Sequence, residues 1–127
     1  MKTLKEEYKY NAERYSDAVS IIFTESSAEK TQLSKNRRIE RASFKRCHEI
    51  FELMKVTHQL FQIEEFMAHE NPSVRYLAAA HCLYSNSSAA ESVLEELIES
   101  YSGEIRLSAL TTLKACRNIP WTEDRYK

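Results

Sequence analysis

Four histidines (His48, His58, His69, His81) and three cysteines (Cys47, Cys82, Cys116) are the side chains of this 127-residue sequence best suited to metal or nucleophile chemistry. Their spacing argues against both. No pair is separated as in CxxC, HxxxH or HExxH, the spacings that bring two ligands to one face of a turn or helix. His81 and Cys82 are adjacent, so on a helix they point about 100° apart and do not converge on one ion. A Cys–His nucleophilic pair needs a third group to orient the base, and the sequence marks none. The expectation is therefore no catalytic residue, no metal site and no cofactor.

Charge is the second source of chemistry. Lys and Arg number 18 against 19 Asp and Glu, a formal net charge of −1. The distribution is uneven. Between Lys30 and Lys55 stand eight basic residues (Lys30, Lys35, Arg37, Arg38, Arg41, Lys45, Arg46, Lys55) and three acidic ones (Glu40, Glu49, Glu52). Between Val56 and Glu104 the only basic residue is Arg75, against eight glutamates. Glu91, Glu95 and Glu99 recur every fourth residue and predict a ridge on one helix, with Glu96 beside it and Glu64 and Glu65 on the preceding hairpin. A like-charged ridge weakens its own helix by a few tenths of a kcal/mol per pair. It also steers a basic partner and raises its on-rate. These six glutamates are the expected partner-binding residues. The basic helix 30–46 carries Lys35, Arg37, Arg38, Arg41, Lys45 and Arg46, several of which share a face and could neutralise phosphates. The sequence pI of 6.4 lies well below the basic range of nucleic-acid binders. The run is expected to lack interleaved aromatic residues, so nucleic acid ranks below protein as the expected partner.

The elements that must position these residues read as helices. One Gly and two Pro leave few turn makers, and the composition disfavours an extensive sheet. Six helices are expected, at about 3–24, 27–55, 58–69, 72–85, 88–101 and 104–117, in one all-α domain spanning 1–127. In the first, Leu4, Tyr8, Tyr15, Val19, Ile22 and Phe23 form an apolar stripe that Tyr10 and Ala18 widen. In the second, Ala42, Cys47, Ile50, Phe51 and Met54 form the apolar edge. The third, with Leu60, Phe61, Ile63, Phe66 and Met67, is apolar over most of its circumference and expected to be buried. Capping boxes are read at Ser26–Glu29 and Ser88–Glu91, and Trp121 is expected to fold back over the end. No apolar run approaches the roughly 18 residues of a membrane span. The opening residues lack the apolar core of a signal peptide, and three cysteines suggest no disulfide framework. A cytoplasmic location is the resulting expectation.

Asn71-Pro72-Ser73-Val74-Arg75-Tyr76-Leu77-Ala78-Ala79 organises the chain. Asn71 is a favoured N-cap and Pro72 suits the first helical position. A weaker copy follows 31 residues later, pairing Val74-Arg75 with Ile105-Arg106, Ala78 with Ala109 and Cys82 with Leu113. Repetition at this period is the signature of stacked helix pairs. Val74-Arg75 with Ala78-Ala79, after a Leu/Phe-rich helix and an Asn-Pro turn, resembles a HEAT-type repeat. The order over residues 4 to 117 is similar to a family of short bacterial HEAT-like domains of unknown function. That resemblance implies hairpins stacked in a short right-handed solenoid or bundle, and no catalytic residues. It implies that Arg75 and Arg106 brace adjacent hairpins through an acidic or carbonyl group. It also implies a protein-binding role, some small helical proteins of this size being immunity partners of toxins. The leading expectation is an immunity protein that blocks a cognate toxin, expected to be a basic nuclease. The alternatives are a regulatory adaptor for a housekeeping protein and a nucleic-acid binder through helix 30–46.

Overall fold

The computed structural model describes residues 2–24 and 30–118, and every regular element among them is a helix. In chain order these are α1 (Leu4–Thr24), α2 (Lys30–Val56), α3 (Phe61–Glu64, running into a 3₁₀ turn at Glu65–Ala68), α4 (Pro72–Cys82), α5 (Ser87–Ser100) and α6 (Gly103–Asn118). Together they form a helical bundle, as the composition and periodicity predict. Among the described residues no helix is long and apolar enough to cross a membrane.

α1 and α2 form an antiparallel hairpin. Tyr8, Ala12, Tyr15 and Val19, spaced by four, three and four, put one buried stripe on α1. α2 answers with Ser43, Cys47, Ile50, Phe51 and Met54, all buried. Glu7 meets Arg46, and the Cys47 thiol lies 3.7 Å from the Tyr8 carbonyl it donates to. Two expected core positions are corrected. Tyr10 is 46 % exposed, pointing away from the stripe. Ala42 is exposed while its neighbour Ser43 is buried. The Ser43 hydroxyl donates to the Ile39 and Glu40 carbonyls of its own helix, which removes the penalty of burying it.

The third helix starts later than expected and is shorter. α2 ends with His58 in the left-handed region (φ 58°). The Gln59 amide donates to the Met54 carbonyl (2.8 Å) and the His58 amide to that of Lys55 (3.5 Å). This is the Schellman pattern that closes helices, with histidine where glycine is usual. α3 then has room for only one α turn before the 3₁₀ turn. Ile63 and Phe66 are buried, but Phe61 is 58 % exposed, so α3 has a solvent face after all.

α4 is the centre of the fold: α1, α3, α5 and α6 all pack against it. Its start follows from two residues. Asn71, extended because a proline follows (φ −81°, ψ 120°), accepts the Ser73 and Val74 amides on Oδ1 at 2.9 and 3.4 Å. The Ser16 hydroxyl of α1 donates to the same oxygen at 3.0 Å, tying the cap to its neighbour. Val74, Leu77, Ala78 and Ala79 are completely enclosed. Burying a side chain the size of Val or Leu contributes about 1.5–3 kcal/mol, and the alanines let neighbouring helices approach closely. α4 stops at Cys82, short of the expected 85, because the Tyr84 and Ser85 amides turn to the His81 and Cys82 carbonyls, three residues back instead of four. Asn86, rather than Ser88, then caps α5, its Oδ1 accepting the Ala89 amide. Gly103, the only glycine, opens α6 at φ 71°, where a side chain would be strained although nothing stands within 4 Å. The expected Ser26–Glu29 cap and the Trp121 contact lie outside the described residues.

Candidate partner-binding surface

The six glutamates fall into two groups. Glu91, Glu95, Glu96 and Glu99 lie on α5, whose other side (Ala90, Leu94, Leu97) is buried against α4 and α6. Glu64 and Glu65 lie on α3 and the 3₁₀ turn, whose main neighbours are α1 and α4. The ridge is also less bare than its spacing suggests. Arg117 of α6 donates from Nε to Glu91 at 3.3 Å and from Nη2 to Glu95. Arg75 of α4 donates to Glu96 at 3.2 Å. Lys5 of α1 pairs with Glu65. Glu99 is exposed, and it and Glu64 make no ion pair among the described residues.

Arg75 and Arg106 both reach α5. Arg75 Nη2 donates to the Tyr101 hydroxyl at 2.9 Å, with the guanidinium 5.7 Å from the Tyr101 ring centroid. Arg106 Nε donates to the Ile98 carbonyl at 3.2 Å. One arginine thus meets an acid and a phenol, and the other a carbonyl.

The basic row on α2 is handled differently. Lys35, Arg37, Arg38, Arg41 and Lys45 are exposed and make no ion pair among the described residues, while Arg46 pairs with Glu7 at 3.2 Å. Phe44 lies inside this run at 44 % exposure and corrects the reading that the run lacks an aromatic residue.

The histidines and cysteines form no metal-binding group among the described residues. Cys47 and Cys82 are buried, and burial pushes both thiols up to about 12, so neither is a nucleophile at neutral pH. His81 is 8 % exposed, and its pKa falls to about 3 through burial and, secondarily, the neighbouring His48. Its Nδ1 lies 2.8 Å from the hydroxyl of Tyr8, which is wholly enclosed.

No family model, curated protein or solved structure matches this chain. Site assignments therefore rest on its own geometry, and no functional residue is carried over from a relative. Arg117, Tyr101 and Lys5 were not legible as members of the acidic surface. Each meets its partner across 22 or more residues of sequence, and no local spacing marks such a contact.

Proposed function

We propose that the protein is a HEAT-like binding module without a catalytic step of its own. On this reading it acts in the cytoplasm as an immunity protein that binds a cognate toxin, a basic nuclease, and occludes its active site. The observation that supports this is the α5 row: Glu95, Glu96 and Glu99 are exposed on one helix, braced by Arg75 from α4 and Arg117 from α6. Exposed pairs hold little net energy, so a partner's lysine or arginine displaces Arg117 at small cost. The summed acidic field meanwhile steers the approach. Glu64 and Glu65 extend the footprint on α3.

The test is co-expression with the product of the adjacent upstream gene, scoring growth, then calorimetry on the purified pair. Rescue of growth with one-to-one binding, weakened at least tenfold by Glu95→Lys with Glu99→Lys, supports the reading. Unchanged affinity in that variant removes the α5 face. An absence of toxicity and binding favours the adaptor alternative.

A second reading is favoured by the row of Arg37, Arg38, Arg41 and Lys45, unpaired among the described residues, with exposed Phe44 beside it: a single-stranded nucleic acid whose phosphates lie along α2 and whose base stacks on the ring. Fluorescence anisotropy with a labelled oligonucleotide tests it. Affinity must fall steeply between about 50 and 200 mM salt, and a salt-independent or absent signal discards it.

A further inference from the structure

We propose that the cleft between α2, α4 and α6 is a binding site for a small uncharged aromatic molecule carrying one hydrogen-bond acceptor, read by His81 Nε2. This site is independent of the protein-binding surface proposed above. The cleft has a volume of about 260 Å³, and its walls include Phe44, Phe51, Tyr76, Leu77 and Ala80. That lies just under the roughly 300–1,000 Å³ of sites for drug-sized ligands, so a single ring fits its scale. The walls are mostly apolar, as a flat hydrocarbon face requires.

The polar element is His81, and its proton can be placed. Tyr8 is 0 % exposed, and the one hydrogen bond its hydroxyl makes among the described residues is to His81 Nδ1. If the ring donated from Nδ1, the phenol hydrogen would be left buried without an acceptor, which is costly. The phenol therefore donates, Nδ1 accepts, and the neutral ring carries its hydrogen on Nε2. Phe51 stacks on the imidazole at 4.8 Å between centroids and 17° between planes, which fixes the ring's orientation.

Nε2 has no hydrogen-bond partner among the described residues. Arg75 Nε is the only fully enclosed side-chain nitrogen or oxygen there that lacks one. His81 Nε2 is therefore not fully enclosed, and His81 lines the cleft, into which we place this N–H. A histidine more than nine-tenths buried thus presents one directed N–H donor within apolar walls. His48 and Thr112 complete the walls; His48 already stands 3.7 Å from Glu52 and the His81 ring is neutral, so a charged ligand would be enclosed without a free counter-ion, which is costly.

The experiment is an NMR titration of the whole chain with acetophenone, using ethylbenzene as a probe of the same shape without the acceptor. Long-range ¹H–¹⁵N spectra report the His81 tautomer and the Nε2 shift directly in the wild-type protein. The expected result is the Nε2–H tautomer, saturable acetophenone binding with an Nε2 shift, and roughly fivefold weaker ethylbenzene binding, the factor one neutral hydrogen bond supports. Ala80→Leu, at a half-buried wall position, should abolish binding of both probes while the fold is retained. An Nδ1–H tautomer overturns the proposal. So do equal affinities for the two probes, no saturable binding, or binding unaffected by Ala80→Leu.

Discussion

The motif at residues 71–83 and its copy at 102–113 align position by position, yet they occupy different surroundings. Val74, Leu77, Ala78 and Cys82 are at most 1 % exposed. Of the second copy, Ala109 and Leu113 are buried, Ile105 is only half-buried, and Leu107 is 57 % exposed. The polar positions diverge as well. His81 packs against Tyr8 and Phe51, while its counterpart Thr112 shares a 2.9 Å hydrogen bond with the Tyr76 hydroxyl. α4 is packed on several sides, whereas α6 lies mainly against α5 and, less extensively, α4. An amphipathic pattern supplies the apolar residues, and the number of neighbours determines how many of them are enclosed.

The largest expected difference between the copies is in the core. Leu77→Ala should destabilise by about 2–5 kcal/mol, the range for cavities in tightly packed cores. Ile105→Ala, at the half-buried edge of α6, should lose less than half as much. Urea unfolding of both variants checks the ratio, and equal losses would erase the distinction between centre and flank.

Acidification is next, through His81, which only the first copy carries. Burial lowers the His81 pKa to about 3 in the folded chain, from about 6.5 unfolded. Between those values the unfolded chain binds a proton that the folded one refuses, so stability falls as the pH drops. The slope is at most about 1.4 kcal/mol per pH unit below roughly 6.5, and this contribution is flat above it. Urea midpoints at pH 7.0, 6.0 and 5.0 should show the loss. His81→Gln should flatten the curve over that window, and an unchanged slope would remove buried His81 as its source.

The paired arginines come third. Arg75 has a side chain only 16 % exposed and an enclosed Nε without a partner among the described residues, so its truncation removes two hydrogen bonds and a ring contact. A loss of about 1–3 kcal/mol is expected for Arg75→Ala. Arg106→Ala, at an exposed site with one bond to a carbonyl, should change stability by about 0.5 kcal/mol or less. Thermal melts of the two variants decide whether the equivalent arginines are energetically unequal. The smallest effect belongs to Arg117→Ala. Any shift in its midpoint at low salt should vanish at roughly 1 M, where the Debye length is about 3 Å.

Much of this fold was legible in local pattern. The Asn71-Pro72 start of α4 needs only a side-chain acceptor and a fixed φ, both properties of the residues themselves. The stripe Tyr8, Tyr15, Val19 and the edge Cys47, Ile50, Phe51, Met54 follow from 3.6-residue periodicity. The failures have equally specific causes. His58 was read as helical because a left-handed cap is normally signalled by glycine. Ser43 was not read as buried because its compensation comes from carbonyls one turn back. Ser88 lost the capping role to Asn86 because the chain turned tightly after Cys82.

The candidate surface was legible as a list of charges and not as a field. The row of glutamates on α5 is a fact of spacing, and so is the row of cations on α2. That Arg117 and Arg75 neutralise part of the first, while the second keeps its charges unpaired among the described residues, depends on which helices fold beside which. The sequence by itself determined an all-helical chain, its main boundaries and the apolar stripe of each helix, because these depend on backbone preferences and periodicity within a few residues. Only the tertiary structure decided that His81 would meet Tyr8 across 73 residues and that one copy of the motif would be enclosed and the other only partly so. Contacts over that separation are set by the packing of whole helices, which no local spacing encodes.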